Sequence, residues 1–205
     1  RWFTPTVEVD LCGHATLASA FVYFYHEGHQ LDEISFQSRS GILSVKKMDD
    51  GLLQMNFPTG IFQQVEQPKG LLEALQIMPE SSTVVYKGST DYLVLFSSEE
   101  DIKALNPDFR ALAQIEARGI IVTARGESVD FVSRFFGPQV GIDEDPVTGS
   151  AHTLLIPFWA KKMNKNILTA RQVSARGGDL WCEMAGDRVK ISGKAVKYLE
   201  GEIEV

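Results

Sequence analysis

Cysteine is nearly absent: Cys12 and Cys182 are the only two, far apart, without C-x-x-C spacing and with no histidine cluster beside them. That excludes a disulfide framework and a cysteine-ligated zinc site, and it fits a reducing, cytoplasmic setting. Positive charge is scarce as well, with 20 Lys and Arg against 27 Asp and Glu and a net charge of −7. Nothing in that balance would gather phosphates along a duplex, so nucleic acid is not an expected partner. Long hydrophobic runs are missing too. The longest, residues 15–25 and 154–160, fall short of the roughly 20 apolar residues a spanning helix needs, and a signal peptide is not expected. A membrane is therefore not expected either. An initiating Met is also lacking: the sequence opens on Arg1-Trp2-Phe3-Thr4-Pro5, an apolar run that reads as the end of a strand. The expectation is that a segment upstream of it is missing.

What is present is enough to bury a core, 44% hydrophobic residues in a chain of 205, and it is organised as a repeat. Asp10-Leu11-Cys12-Gly13-His14-Ala15 runs into an apolar helical stretch ending near Gly28. Asp145-Pro146-Val147-Thr148-Gly149-Ser150-Ala151 runs into another ending near Met163. Downstream of the first, Ser38-Arg39-Ser40-Gly41 opens a pair of strands at 42–47 and 52–57; downstream of the second, Ser174-Ala175-Arg176-Gly177 opens a pair at 180–184 and 188–192. Gly13 and Gly149, Ser38 and Ser174, and Gly41 and Gly177 are each separated by 136 residues. We read a duplicated unit of helix plus curved sheet.

Both helical stretches lack charge: no Asp, Glu, Lys or Arg occurs from His14 to Tyr25 or from Ser150 to Ala160. Such helices are expected to be buried on every side, each with a sheet wrapped round it as a partial barrel. The fold class is α/β (α+β) in two repeated halves. Breakers at Gln67-Pro68-Lys69 and at residues 78–82 flank a short helix over 70–77 and place the boundary near residue 81. The halves are then 1–81, truncated at its start, and 82–205, with its last strand returning to the first half. Pro157 inside the second helix is expected to kink or loosen it.

In each half a glycine and a polar side chain stand where the buried helix begins, so unpaired backbone N–H groups and the positive helix end face outward. If the halves face each other, the two helix starts, Gly13-His14 and Gly149-Ser150, converge on one interdomain cleft suited to a carboxylate. Asp145 is the strongest candidate for chemistry. Pro146 holds it extended, so Glu144 and Asp145 point to opposite sides and one of them faces the cleft, unless the acid merely caps the following helix. His14 is expected to be a neutral imidazole donating one hydrogen bond, because the helix dipole disfavours the cation; capping or packing is the alternative. Ser150 binds a substrate oxygen or is structural. Arg176 holds a substrate carboxylate or is a surface turn residue. Trp2, Tyr86, Trp159 and Trp181 line an aromatic pocket or, the safer assumption, pack in the core.

The series Trp2-Phe3-Thr4-Pro5, Glu8-Val9-Asp10-Leu11-Cys12-Gly13-His14-Ala15-Thr16, Gly141-Ile142-Asp143-Glu144-Asp145-Pro146-Val147-Thr148-Gly149-Ser150-Ala151-His152 and Gln172-Val173-Ser174-Ala175-Arg176-Gly177-Gly178 is similar, in order and spacing, to the motifs of the PhzF-like phenazine-biosynthesis family. The match runs through the whole chain. It implies a diaminopimelate-epimerase-like fold and a homodimer. It also implies an active site lined by Gly13, His14, Asp145 and Ser150, with proton movement on a small carboxylated substrate and neither metal nor organic cofactor. The family's main acid/base is a glutamate in the segment before this one, and no Glu here matches it. Two-cysteine racemases of this fold pair a thiol such as that of Cys12 with a second, but the position 136 residues on is Thr148. That mechanism is closed, and Cys12 is expected to be a small buried residue, as Cys182 is within its strand. The chain thus reads as an isomerase or epimerase. The competing reading is a non-catalytic small-molecule-binding protein on the same fold.

Overall fold

In the computed structural model residues 1–78, 83–202 and 204 are described. The boundary expected near residue 81 lies outside the described residues. The chain opens with a small antiparallel pair, β1 (Trp2–Phe3) and β2 (Glu8–Val9), and enters α1 (Gly13–Tyr25). A meander follows: β3 (Glu33–Ser38), β4 (Gly41–Lys47) and β5 (Leu53–Pro58). The turn into β4 is made at Gly41, whose φ of 91° suits a residue without a Cβ.

The middle of the chain contributes β6 (Gln63–Val65), α2 (Leu71–Ala74), β7 (Val84–Lys87), β8 (Asp91–Leu95), α3 (Glu99–Ala104), α4 (Phe109–Leu112), β9 (Gly119–Arg125), β10 (Phe131–Gly137) and β11 (Ile142–Glu144). It ends with α5 (Gly149–Met163), β12 (Ile167–Gln172), β13 (Gly178–Ala185) and β14 (Arg188–Gly193). One mixed sheet runs through all strands after β2, in the order β3-β4-β5-β14-β13-β12-β10-β9-β8-β7-β6, with β11 on β10. Its parallel neighbours, β8 with β9 and β10 with β12, are joined by crossovers carrying helices, as parallel pairing requires. Met55 opposite Ile191 lies in the antiparallel β5–β14 ladder.

Two cores form on the two faces. On one, Leu155, Ile156 and Trp159 of α5 pack with Leu53, Met55, Phe131, Leu168 and Val189; on the other, Leu71, Leu75, Ile102 and Leu112 meet Val94, Val122, Val132 and Phe136. Strand β10 serves both, Phe131 and Phe135 on one side and Val132 and Phe136 on the other. It is therefore buried on both faces, with Ser133 and Arg134 its polar residues.

Burial on every side describes α5 but not α1. Along α1 only Gly13, Thr16, Ala20 and Phe24 are buried, a single stripe at helical spacing, while Val22, Tyr23 and Tyr25 are 43–50% exposed. The cause is the number of partners: α5 rests on β12, β13 and β14, whereas α1 is covered by β4 and β5 and touches α5.

Pro157 has a clear structural consequence. Lacking an N–H, it leaves the carbonyl of Thr153 without its usual helical donor, and that carbonyl accepts the N–H of Gly60 at 2.9 Å. The chain leaving β5 is thereby tied to α5. A Cβ at Gly60 would come within 2.5 Å of Leu154, so this close approach needs glycine. Trp159 is a core residue, its Nε1–H donating to Thr123 Oγ1 at 2.9 Å and its ring stacked on Phe131. Tyr86 packs edge-on against Phe62 and Phe158. Trp181 departs from the core expectation: it is 39% exposed on the outer face of β13, opposite to Leu180 and Cys182, with the Lys194 ammonium above its ring. Trp2 is half-buried in β1. Among the described residues no helix is long and apolar enough to cross a membrane.

Candidate functional site

Helices α1 and α5 begin side by side. Their N-caps, Cys12 and Thr148, are both extended, and neither helix receives a side-chain cap or carries an acid in its first turn. A Cβ placed on Gly13 would lie 3.4 Å from the Gly149 Cα, so the two glycines allow backbone-to-backbone approach. Two positive helix ends thus share one place.

The short strand β11 delivers Asp145 to this place. Its N–H donates to the Phe135 carbonyl at 3.0 Å, and Pro146 keeps it extended. Glu144 turns the other way into a fork with Arg134, at 2.7 and 2.9 Å, and Arg134 also donates to the carbonyls of Ile102 and Leu105. Asp145 instead turns toward α1. Its Oδ1 is 3.9 Å from His14 Nδ1, and its Oδ2 accepts the Thr148 hydroxyl at 2.5 Å.

The His14 expectation is corrected. Nδ1–H donates to the Val147 carbonyl at 2.9 Å, and Nε2 lies 3.6 Å from Cys12 Sγ. The contact with Cys12, and then Asp145 and the Val147 carbonyl, push the imidazole up to about 9 against the opposing effect of burial. This upward shift runs against the neutral form that the helix dipole favours. Any stability His14 contributes this way is complete below pH 6.5 and fades as pH rises toward 9. Cys12 is corrected too: it is half-buried and packed on His14 rather than enclosed. Cys182 is buried in β13, where desolvation pushes its thiol upward.

Ser150 is held by a residue that sequence spacing does not reveal. Arg118 Nη1 donates to Ser150 Oγ at 2.9 Å, while Nε and Nη2 of the same guanidinium grip the buried carboxylate of Asp91. The fork compensates the buried charge of Asp91 and leaves the Ser150 hydroxyl hydrogen free to donate outward. Gln172, fully buried at the end of β12, joins Asp145 to Thr148 and was likewise given no role by the sequence. Arg176 is exposed and makes no ion pair among the described residues. Its turn adjoins the site through the Ser174 hydroxyl, which donates to the Pro146 carbonyl at 2.8 Å. Gly13, His14, Asp145, Gly149 and Ser150 are thus brought together. Two cavities, of about 560 and 360 Å³, share Leu95, Phe96 and Ser97 and lie away from the helix starts. At the helix starts the His14 side chain is 45% exposed.

One turn into α5, His152 is fully buried, its Nδ1–H donating to the Thr148 carbonyl at 2.8 Å. Burial holds its imidazole down to about 4. The stability from keeping it neutral is present above pH 6.5 and is lost as pH falls toward 4, because only the unfolded chain takes up the proton in that window. The expected loss is up to about 3 kcal/mol. Urea unfolding of the parent and of His152→Leu between pH 6.5 and 5 checks this: the variant's stability should fall less steeply, and parallel slopes would refute it.

Among the described residues no cluster of three or more His, Cys, Asp or Glu is placed to hold a metal ion. The family model for phenazine biosynthesis-like proteins (PhzC-PhzF) matches residues 1–201. The chain is 52% identical to an uncharacterized isomerase of Pseudomonas aeruginosa, over 100% of this chain and 77% of the relative. It is 40% identical to the phenazine biosynthesis-like domain-containing protein 1 of Mus musculus, over 99% and 76%. The crystal structure of a PhzF-family protein from Enterococcus faecalis superposes with a TM-score of 0.92 at 43% identity, covering 100% of this chain and 77% of that one.

Proposed function

Because the chain belongs to the phenazine biosynthesis-like (PhzC-PhzF) family, with relatives named isomerases, we propose that it is an isomerase that moves a proton on a small carboxylated substrate by general acid–base exchange, without a cofactor. The observation that carries this reading is the placement of the Asp145 carboxyl group 3.9 Å from His14 at two abutting, uncapped helix starts. The substrate carboxylate lies against the first-turn N–H groups and the outward-donating Ser150 hydroxyl. The acidic C–H proton passes to a carboxylate and returns at another carbon, so atoms and charge balance with no oxidant. Cationic His14 stabilises the negative charge that builds on the substrate as the proton leaves, and Asp145 takes part in the transfer.

The same reading takes the chain as two versions of one unit on a diaminopimelate-epimerase-like plan. In support, the shift of 136 residues carries α1 onto α5 and its N-cap Cys12 onto Thr148, and carries β3, β4 and β5 close to β12, β13 and β14. The test is incubation of the full-length protein in deuterated water with a panel of amino and hydroxy acids. Deuterium should appear at carbon in at least one turned-over acid. A protein that labels none while still binding one would favour the binding-protein reading.

A further inference from the structure

The geometry points to Gln172, acting through Thr148, as the residue that positions the Asp145 carboxylate, an inference that rests on the proposed role of Asp145. Gln172 is fully buried. Its Oε1 accepts the Thr148 N–H at 2.8 Å, and its Nε2 donates to the Asp145 carbonyl at 2.6 Å and to Thr148 Oγ1 at 3.1 Å. Both amide hydrogens and the amide oxygen are engaged. A reversed amide would set N–H against the Thr148 N–H, so only one orientation satisfies the group.

The direction of every hydrogen then follows. Thr148 Oγ1 receives a hydrogen from Gln172, and its own hydroxyl hydrogen goes to Asp145 Oδ2 at 2.5 Å. The chain of donors runs from Gln172 through Thr148 and ends on one carboxylate oxygen. Oδ2 is thereby occupied, and Oδ1 is the oxygen turned to His14. The backbone anchors on Asp145, its N–H on Phe135 and the following proline, fix where the residue sits. They do not fix the rotation of its side chain, which is what Thr148 and Gln172 supply. Glutamate at 172 could accept from Thr148 but could not donate to the Asp145 carbonyl, and asparagine is one methylene short.

His14 itself reports the carboxylate's position, because the ionisable groups against its ring are Cys12 and Asp145. Its titration is followed by NMR in the parent, Thr148→Val, Thr148→Ser and Gln172→Met. Without the Thr148 hydroxyl the carboxylate turns to its nearest remaining donor. The His14 midpoint is expected to rise by about half a unit or more in Thr148→Val and Gln172→Met, and to return to the parent value in Thr148→Ser. An unchanged or lowered midpoint in Thr148→Val overturns the assignment, as does a rise that serine fails to remove. Should the valine variant not fold, Gln172→Met alone decides in the same way. No substrate is needed, so the result is independent of whether the protein proves to be an isomerase.

Discussion

Replacing Asp145 by Asn is expected to lower proton exchange on the substrate by about 10²- to 10⁴-fold with the fold unchanged. Asparagine keeps the length of the side chain, and its carbonyl oxygen can still accept the Thr148 hydroxyl that Asp145 Oδ2 accepts. The anchors on either side, the Asp145 N–H on Phe135 and the Asp145 carbonyl on Gln172, belong to the backbone and survive the change. What is lost is an oxygen able to take and return a proton beside His14. The measurement is the rate of deuterium entry into whichever acid the parent labels, together with the melting temperature of both proteins. A variant that exchanges within tenfold of the parent would remove Asp145 from the path of the proton.

The largest expected loss of stability follows from Trp159→Ala, about 3–5 kcal/mol. The indole is 2% exposed, stacked on Phe131 at 5.8 Å and met edge-on by Phe158 at 5.4 Å. Truncation opens a cavity where α5 faces the sheet and removes the donor to Thr123 Oγ1. Thr123 keeps its own donation to the Val132 carbonyl, so no buried hydrogen is orphaned and the cost is mainly one of packing. Trp159→Phe, which retains a ring on Phe131, is expected to recover most of the loss. Urea unfolding decides: an alanine variant within 1 kcal/mol of the parent would show that the core closes over the gap.

The parts of this fold that could be read from sequence are those whose pattern is local. The uncharged stretches beginning at His14 and Ser150 mark α1 and α5, and the turns at Ser38–Gly41 and Ser174–Gly177 mark the strand pairs that follow them. Residues 83–144 were left without elements for a physical reason. Gly119–Arg125 and Phe131–Gly137 are central strands buried on both faces, so the alternation that betrays a half-exposed strand is absent there. Along α1, Val22, Tyr23 and Tyr25 stand at the surface of the described residues although the stretch carries no charge. At the site, Asp145 was legible from the proline that follows it, but its supports were not. Arg118 is 27 residues from Asp91 and 32 from Ser150, and Gln172 is 24 from Thr148. Such partners are chosen by strand pairing, which leaves no periodic trace.

The pairing of β5 with β14 sets the order in which this protein can be finished during synthesis. Strand β5 is complete at Pro58, yet the neighbour on its second edge, β14, begins at Arg188. A ribosome adding about 5–20 residues per second needs on the order of ten seconds to make the intervening chain. Throughout that time the nascent meander carries an unpaired edge with Leu53, Met55 and Phe57 on one face, the kind of template that recruits strands from other chains. Slowing translation between these strands should therefore increase insoluble product, and synonymous codon changes confined to that interval would expose the effect without altering a single side chain.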